Sequence, residues 1–202
     1  VIVSLSSYII PCLFWLIGTF KDMPVSPAAK ANYRPNNDFR AIAVEQIKVH
    51  ENFKAIPYKD IDGKFAIGFG HKKYALPSMK PISYAKAINL LYDDLEQAVK
   101  DARAFYPKFD SDLGELRKAL VVNLAYNLGL TNLLQFRKLR ECLSKKDFEG
   151  AAHSLEDSLW YKQTGDRAKE IVFAMRHGRL PKSFYLRKHD RPRNTSPQSA
   201  PL

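Results

Sequence analysis

Two carboxylates in this chain are placed where they could act as a pair. Glu51 closes a stretch of helical spacing beside Asn52-Phe53, and Asp60 enters a short aromatic and β-branched run nine residues later. A helix end and an adjoining hairpin can set two such groups across a cleft. One carboxyl that keeps its proton can protonate a glycosidic oxygen. A second, ionised, can assist a water or stabilise an oxocarbenium-like transition state. Spacing alone does not separate such a pair from two solvated surface charges, which is the commoner case. The elements around them must decide.

Those elements are legible in the apolar pattern. Ile42, Val44, Ile47 and Val49 among charged residues predict a helix over Phe39–Phe53, ending near Glu51. Asp62-Gly63 between two short runs is a hairpin signal. Ser83 suits the cap of a helix carrying Ala87, Leu90, Leu91, Leu95 and Ala98 at three- and four-residue steps. A further helix is expected from about Leu113 to Leu128, stopped by Gly129. Leu133–Leu143, Phe148–Leu159 and Arg167–His177 complete the helical set, the last closed by Gly178. The expected fold is α+β with helices dominant: a helix delivers a Glu to a small hairpin lobe, and a helical lobe follows.

Other chemistries find no support. Gly68-Phe69-Gly70 lacks the third glycine of a dinucleotide fingerprint, and there is no HExxH and no paired CxxC. No metal and no cofactor are expected. Cys12 and Cys142 are too few for a disulfide scaffold and read as free thiols. At 202 residues, 46% hydrophobic and 26% charged, the chain has room for one ordinary domain with appendages. Its net charge of +11 favours anionic partners such as wall polymers, acidic lipid or an acidic subunit. No recognised nucleic-acid module accompanies the basic residues, so specific nucleic-acid binding is not expected.

The charge sits mostly on the flanks. Residues 1–20 carry none, residues 21–40 carry +2 and residues 179–202 carry +5, leaving +4 for the middle. Val1–Phe20 is apolar enough, and at ~30 Å as a helix long enough, to be a single membrane anchor. A signal-peptide core or a helix buried against a partner are the alternatives. The first residue is Val, which points to an upstream peptide that was removed or is missing. Pro24, Pro27 and Pro35 mark a linker. Beyond Gly178, four prolines alternate with Arg and Lys, and nothing there is expected to bury a core. Protein partners are expected to hold the anchor and this tail if both are ordered.

The residues around the two carboxylates carry a resemblance. His50-Glu51-Asn52-Phe53, Tyr58-Lys59-Asp60, Gly63 and Ile67-Gly68-Phe69-Gly70-His71 are together similar to the active-site segment of phage-type lysozymes, the T4 and lambdoid endolysin family. Ala119–Gly129, with Asn123, Tyr126 and Asn127, resembles that family's central buried helix. Phe136 follows at the expected distance. Ser158–Ala168, with Trp160, Gln163, Thr164, Arg167 and Ala168, is similar to its C-terminal signature. The resemblance covers about residues 40–180. It implies a lysozyme-like domain over 39–180, after a candidate anchor at 1–20 and a linker at 21–38, and before a basic Pro-rich tail at 181–202.

The resemblance also implies roles. Glu51 matches the general acid and Asp60 the second carboxylate. Gly70, Tyr126, Asn127 and Arg167 match substrate-binding or cleft positions, with Arg167 against the acid. His71 and Asp94 match a structural His–Asp pair, and Trp160 a core residue. One position departs. Where the family has a threonine thought to hold the attacking water, this chain has Ala66, whose methyl group neither donates nor accepts a hydrogen bond. His50 replaces an acidic residue of the T4 member and alters the charge beside Glu51.

Two functions of different class follow. One is an endolysin-type glycoside hydrolase, cleaving the β-1,4 bond between N-acetylmuramic acid and N-acetylglucosamine in peptidoglycan, impaired by Ala66. The other is a catalytically inactive, lysozyme-like structural subunit of a membrane-bound or virion complex. Either is expected at a membrane through residues 1–20, with the compartment open between an organelle membrane and a virion or host envelope.

Overall fold

The computed structural model describes residues 38–60, 63–73 and 75–189. The candidate anchor at 1–20, the linker up to residue 37 and the tail from residue 190 lie outside the described residues, as does Asp62 of the hairpin turn. Among the described residues, no helix is long and apolar enough to cross a membrane.

The first helix, α1 (Phe39–Glu51), begins where Asp38 accepts the Arg40 N–H at 3.0 Å and Glu115 accepts the Phe39 N–H at 2.8 Å. Two of the four donors left open at a helix start are thereby satisfied. Its apolar face, Phe39, Ala43, Val44 and Ile47, is buried. It ends at Asn52, whose φ of 57° is a left-handed conformation that asparagine tolerates better than most residues. Glu51 is thus the last helical residue, at the mouth of a two-stranded antiparallel sheet.

That sheet pairs β1 (Lys54–Lys59) with β2 (Phe65–Gly68), in the register Tyr58 to Ala66 and Lys59 to Phe65. The pairing is irregular between Lys54 and Tyr58, where Pro57 has no N–H for the ladder. The strand turns back at once, since Ile67 and His71 exchange both backbone hydrogen bonds at 2.9 Å around Gly68-Phe69-Gly70.

The helical lobe consists of α2 (Tyr84–Phe105), α3 (Phe109–Asp112), α4 (Glu115–Leu133), α5 (Arg137–Ser144), α6 (Phe148–Glu156), α7 (Leu159–Thr164), α8 (Asp166–His177) and α9 (Lys182–His189). Ser83 caps α2 through the Lys86 N–H, as its type and position predict. Residues 119–125 of α4 are all buried, so this helix is the axis of the core, flanked by α1, α2 and α8. Gly129 does interrupt the helix (φ 69°, ψ 162°), but one more turn follows to Leu133. The helix expected over Leu133–Leu143 starts only at Arg137, and the one expected over Phe148–Leu159 stops at Glu156. In the latter case Ser158 caps a separate helix through the Tyr161 N–H.

The segment beyond Gly178 differs from expectation. It forms α9, and Phe184 is 2% exposed. Composition underrates this segment because one aromatic ring, given a seam already built by α1 and α8, buries as well as it would in an apolar helix.

Candidate active site

Glu51 owes its orientation to three elements. Its helix brings it to the sheet, and the Ile67–His71 turn places Gly70 against it. A Cβ at Gly70 would lie 3.5 Å from Glu51 Oε2, and φ there is 91°, a conformation suited to glycine. From α8, Arg167 Nη1 donates to Glu51 Oε1. The Glu51 side chain keeps 21% of its surface exposed, so the carboxyl is held but reachable.

Asp60 stands at the end of the hairpin's first strand. Its Oδ1 accepts the Lys64 N–H at 2.9 Å, and its Oδ2 lies 2.5 Å from Lys72 Nζ. Tyr58 stands two residues earlier, on β1. Burial, then the charges of Glu51 and Asp60, raise its phenol above the ordinary tyrosine value. Lys54 Nζ covers its ring at 3.7 Å. Ala66 is the cross-strand partner of Tyr58, and directly paired residues share a face of a sheet. The methyl group is buried on that face, where a threonine would offer a hydroxyl.

From α4, the Tyr126 hydroxyl donates to the Phe69 carbonyl at 2.8 Å. Burial first, then Asp94 and Glu51, push its phenol well above the ordinary value, so it stays a neutral donor. Asn127 accepts from the buried Trp160 Nε1 at 2.8 Å. His71 contacts both oxygens of Asp94 at 3.0 and 2.9 Å. Burial opposes the imidazolium there, but the hydrogen bond and charge of Asp94 outweigh it, and the pKa of His71 rises.

Behind Arg167 runs a buried polar seam whose sequence signal was weak. Arg167 Nε and Nη2 donate to Asn123 Oδ1 at 3.1 and 2.7 Å. The Asn123 amide lies 3.1 Å from Gln46 Oε1 and 3.2 Å from His50 Nδ1. His50 Nε2 meets Glu170 Oε2 at 3.1 Å. Guanidinium groups only donate, so the Asn123 carbonyl must face Arg167 and its NH2 must face His50. His50 Nδ1 is therefore an acceptor, and the ring is neutral with its proton on Nε2, toward Glu170. Burial first, and the charges of Arg167 and Arg187, lower the His50 pKa against the pull of Glu170. The one hint in the sequence was Glu170 three residues after Arg167, on the same helix face.

Among the described residues, no group of three or more His, Cys, Asp or Glu is arranged to hold a metal. Two surface cavities lie in the helical lobe. One, of about 740 Å³, is lined by residues including Phe136, Ser154, Trp160 and Gln163. The other, of about 500 Å³, is lined by residues including Tyr106, Lys108, Arg137 and Arg140. Neither is lined by Glu51 or Asp60.

Known proteins are similar to this chain in sequence. Probable T4-type lysozyme 1 of Dictyostelium discoideum is 24% identical over 160 residues, which is 67% of this chain and 94% of that relative. Probable T4-type lysozyme 2 of the same organism is 24% identical over 164 residues, again 67% of this chain and 94% of the relative. A SAR-endolysin of Enterobacteria phage P21 is 30% identical over 105 residues, 52% of this chain and 61% of the relative. The family model described as phage lysozyme matches residues 48–176, a span that opens three residues before Glu51 and closes beyond Arg167 and Glu170. That span is well over half of the chain, and this chain belongs to the phage lysozyme family.

Proposed function

We propose that this chain is a muramidase that hydrolyses the β-1,4 bond between N-acetylmuramic acid and N-acetylglucosamine. Glu51 gives its proton to the glycosidic oxygen as the bond to the anomeric carbon breaks. A water adds to that carbon, and Asp60 stabilises the developing positive charge or takes the water's proton. Gly70, Tyr126 and Asn127 border the sugar. Arg167 fixes the Glu51 carboxyl. The observation that carries the reading is the placement of Glu51 at the helix end, pinned by Arg167. Residues 1–20 would tether the enzyme, and its basic flanks would adsorb an anionic wall.

Ala66 lowers the rate in this reading. Loss of a positioned polar group in an active site commonly costs on the order of 10²–10³. Turbidity clearing of permeabilised bacteria by the full chain, compared with Glu51→Gln, tests the proposal. Clearing that disappears in the variant supports it, and equal, negligible clearing by both removes it.

Two observations favour a second reading, a non-catalytic lysozyme-like subunit of a membrane or virion assembly. Ala66 has no hydroxyl for a water, and Lys72 already engages Asp60. Ala66→Thr measures what the missing hydroxyl costs in either reading. A gain of about 10² in clearing marks chemistry lost at one position. A purified wild-type chain that is monomeric and lytic ends the second reading.

A further inference from the structure

The polar seam behind Arg167 does not end at Glu170. It is closed by α9, which lies beyond the span matched by the family model. Arg187 Nη2 stands 2.5 Å from Glu170 Oε2, and its Nη1 stands 3.2 Å from Asp166 Oδ2. The first contact is an ion pair rather than an aligned hydrogen bond. Ser183 Oγ donates to Glu170 Oε1 at 3.2 Å, and Lys188 pairs with Glu45 at 3.1 Å. Phe184 sits edge-on to the His50 ring with centroids 6.5 Å apart.

Glu170 is 5% exposed. A carboxylate so buried needs a positive partner, and its neighbour His50 is held neutral by Asn123. The groups facing His50 are the neutral amide of Asn123 on α4, Arg167 and Glu170 on α8, and Arg187 on α9.

We propose that Arg187 is a positioning residue for the proposed general acid: by balancing Glu170 it keeps His50 in its Nε2–H form, which keeps Asn123 turned to Arg167 and Arg167 against Glu51. Without Arg187, one of two positive charges opposing a proton on His50 is gone, while the charge of Glu170 remains. His50 then takes its second proton at higher pH. The new Nδ1–H points at the Asn123 NH2, two donors face each other, and Asn123 withdraws its carbonyl from Arg167. The catalytic consequence rests on the muramidase reading. The network itself is measurable without activity.

The test uses the full chain as wild type, Arg187→Gln, Arg187→Lys and Leu186→Ser, the last altering an exposed α9 residue. NMR follows the titration of the His50 ring and the hydrogen exchange of the Arg167 Nε–H. Arg187→Gln is expected to move the His50 midpoint upward and to speed Arg167 exchange at about pH 6, near the ordinary imidazole value. It also moves the acid limb of the clearing profile upward. Arg187→Lys restores most of the wild-type behaviour, and Leu186→Ser retains it. If Arg187→Gln leaves both NMR readouts at wild-type values, the proposal is overturned, even if the melting temperature falls, because the residue is then only structural. If the readouts shift as expected in a chain that never clears cells, the network is upheld and the muramidase reading fails.

Discussion

Arg167 and Asn123 meet through two hydrogen bonds converging on one carbonyl oxygen, from Nε at 3.1 Å and Nη2 at 2.7 Å. The third nitrogen of the same guanidinium is left for Glu51. A planar fork with three corners committed has no rotational freedom to spare. The carboxyl at the end of α1 is consequently aimed by a side chain 116 residues away, itself aimed by the buried core helix.

Asn123→Ala should therefore be costly. It strips acceptors from Arg167 and a donor from Gln46 and His50, all in a buried seam. Each buried polar group left unmade costs ~1–3 kcal/mol, so a loss of roughly 3 kcal/mol or more is expected. Urea denaturation measures it, and a loss under about 1 kcal/mol would contradict the seam as described.

The two buried histidines give stability opposite dependences on pH. The His71 pKa is raised by Asp94, so its contribution is complete below the ordinary value of about 6.5 and is lost as pH climbs through the folded value. The His50 pKa is lowered, so stability falls as pH drops below about 6.5, where the unfolded ring binds a proton that the folded ring refuses. Asp94→Asn should destabilise the protein more at about pH 5.5 than at about pH 8. Melting curves across that range check it, and a pH-independent effect would sink the assignment.

Lys72 lies half exposed beside Asp60. Replacing it with Leu should alter folding stability by under about 1 kcal/mol, the usual scale for such a pair. In the muramidase reading it frees the carboxylate to face the substrate's developing charge. A rise in clearing rate of about fivefold corresponds to ~1 kcal/mol of barrier. A fall instead would mean that the lysine positions Asp60.

Phe184 tests whether α9 belongs to the folded unit. Its ring is buried, and Phe→Ala in a core typically costs ~3–5 kcal/mol. A value near 3 kcal/mol is expected at this peripheral site, with faster hydrogen exchange confined to α9 and the His50 seam.

The helix ending at Glu51, the Ser83 cap, the break at Gly129 and the closure at Gly178 were all legible along the chain, because caps and breaks depend on a residue and its next few neighbours. The contact between Arg167 and Glu51, which the resemblance implies, is present as well. The helix start at Arg137 and the helix end at Glu156 differ from expectation because the apolar spacing runs on across Gln135-Phe136 and Asp157-Ser158, while the backbone does not.

What only the tertiary structure decided lies where charges meet across elements. His50 reads as an altered charge beside the acid, and becomes a neutral ring only once Asn123 and Arg167 are seen around it. Arg187 and Phe184 sit in a segment whose composition suggests no core, and both acquire partners because α8 presents a buried carboxylate and α1 the His50 ring. Periodicity and capping are local properties that a linear sequence carries in full. A hydrogen-bond network depends on which donors and acceptors folding brings within about 3 Å, and that is a property of the packed chain alone.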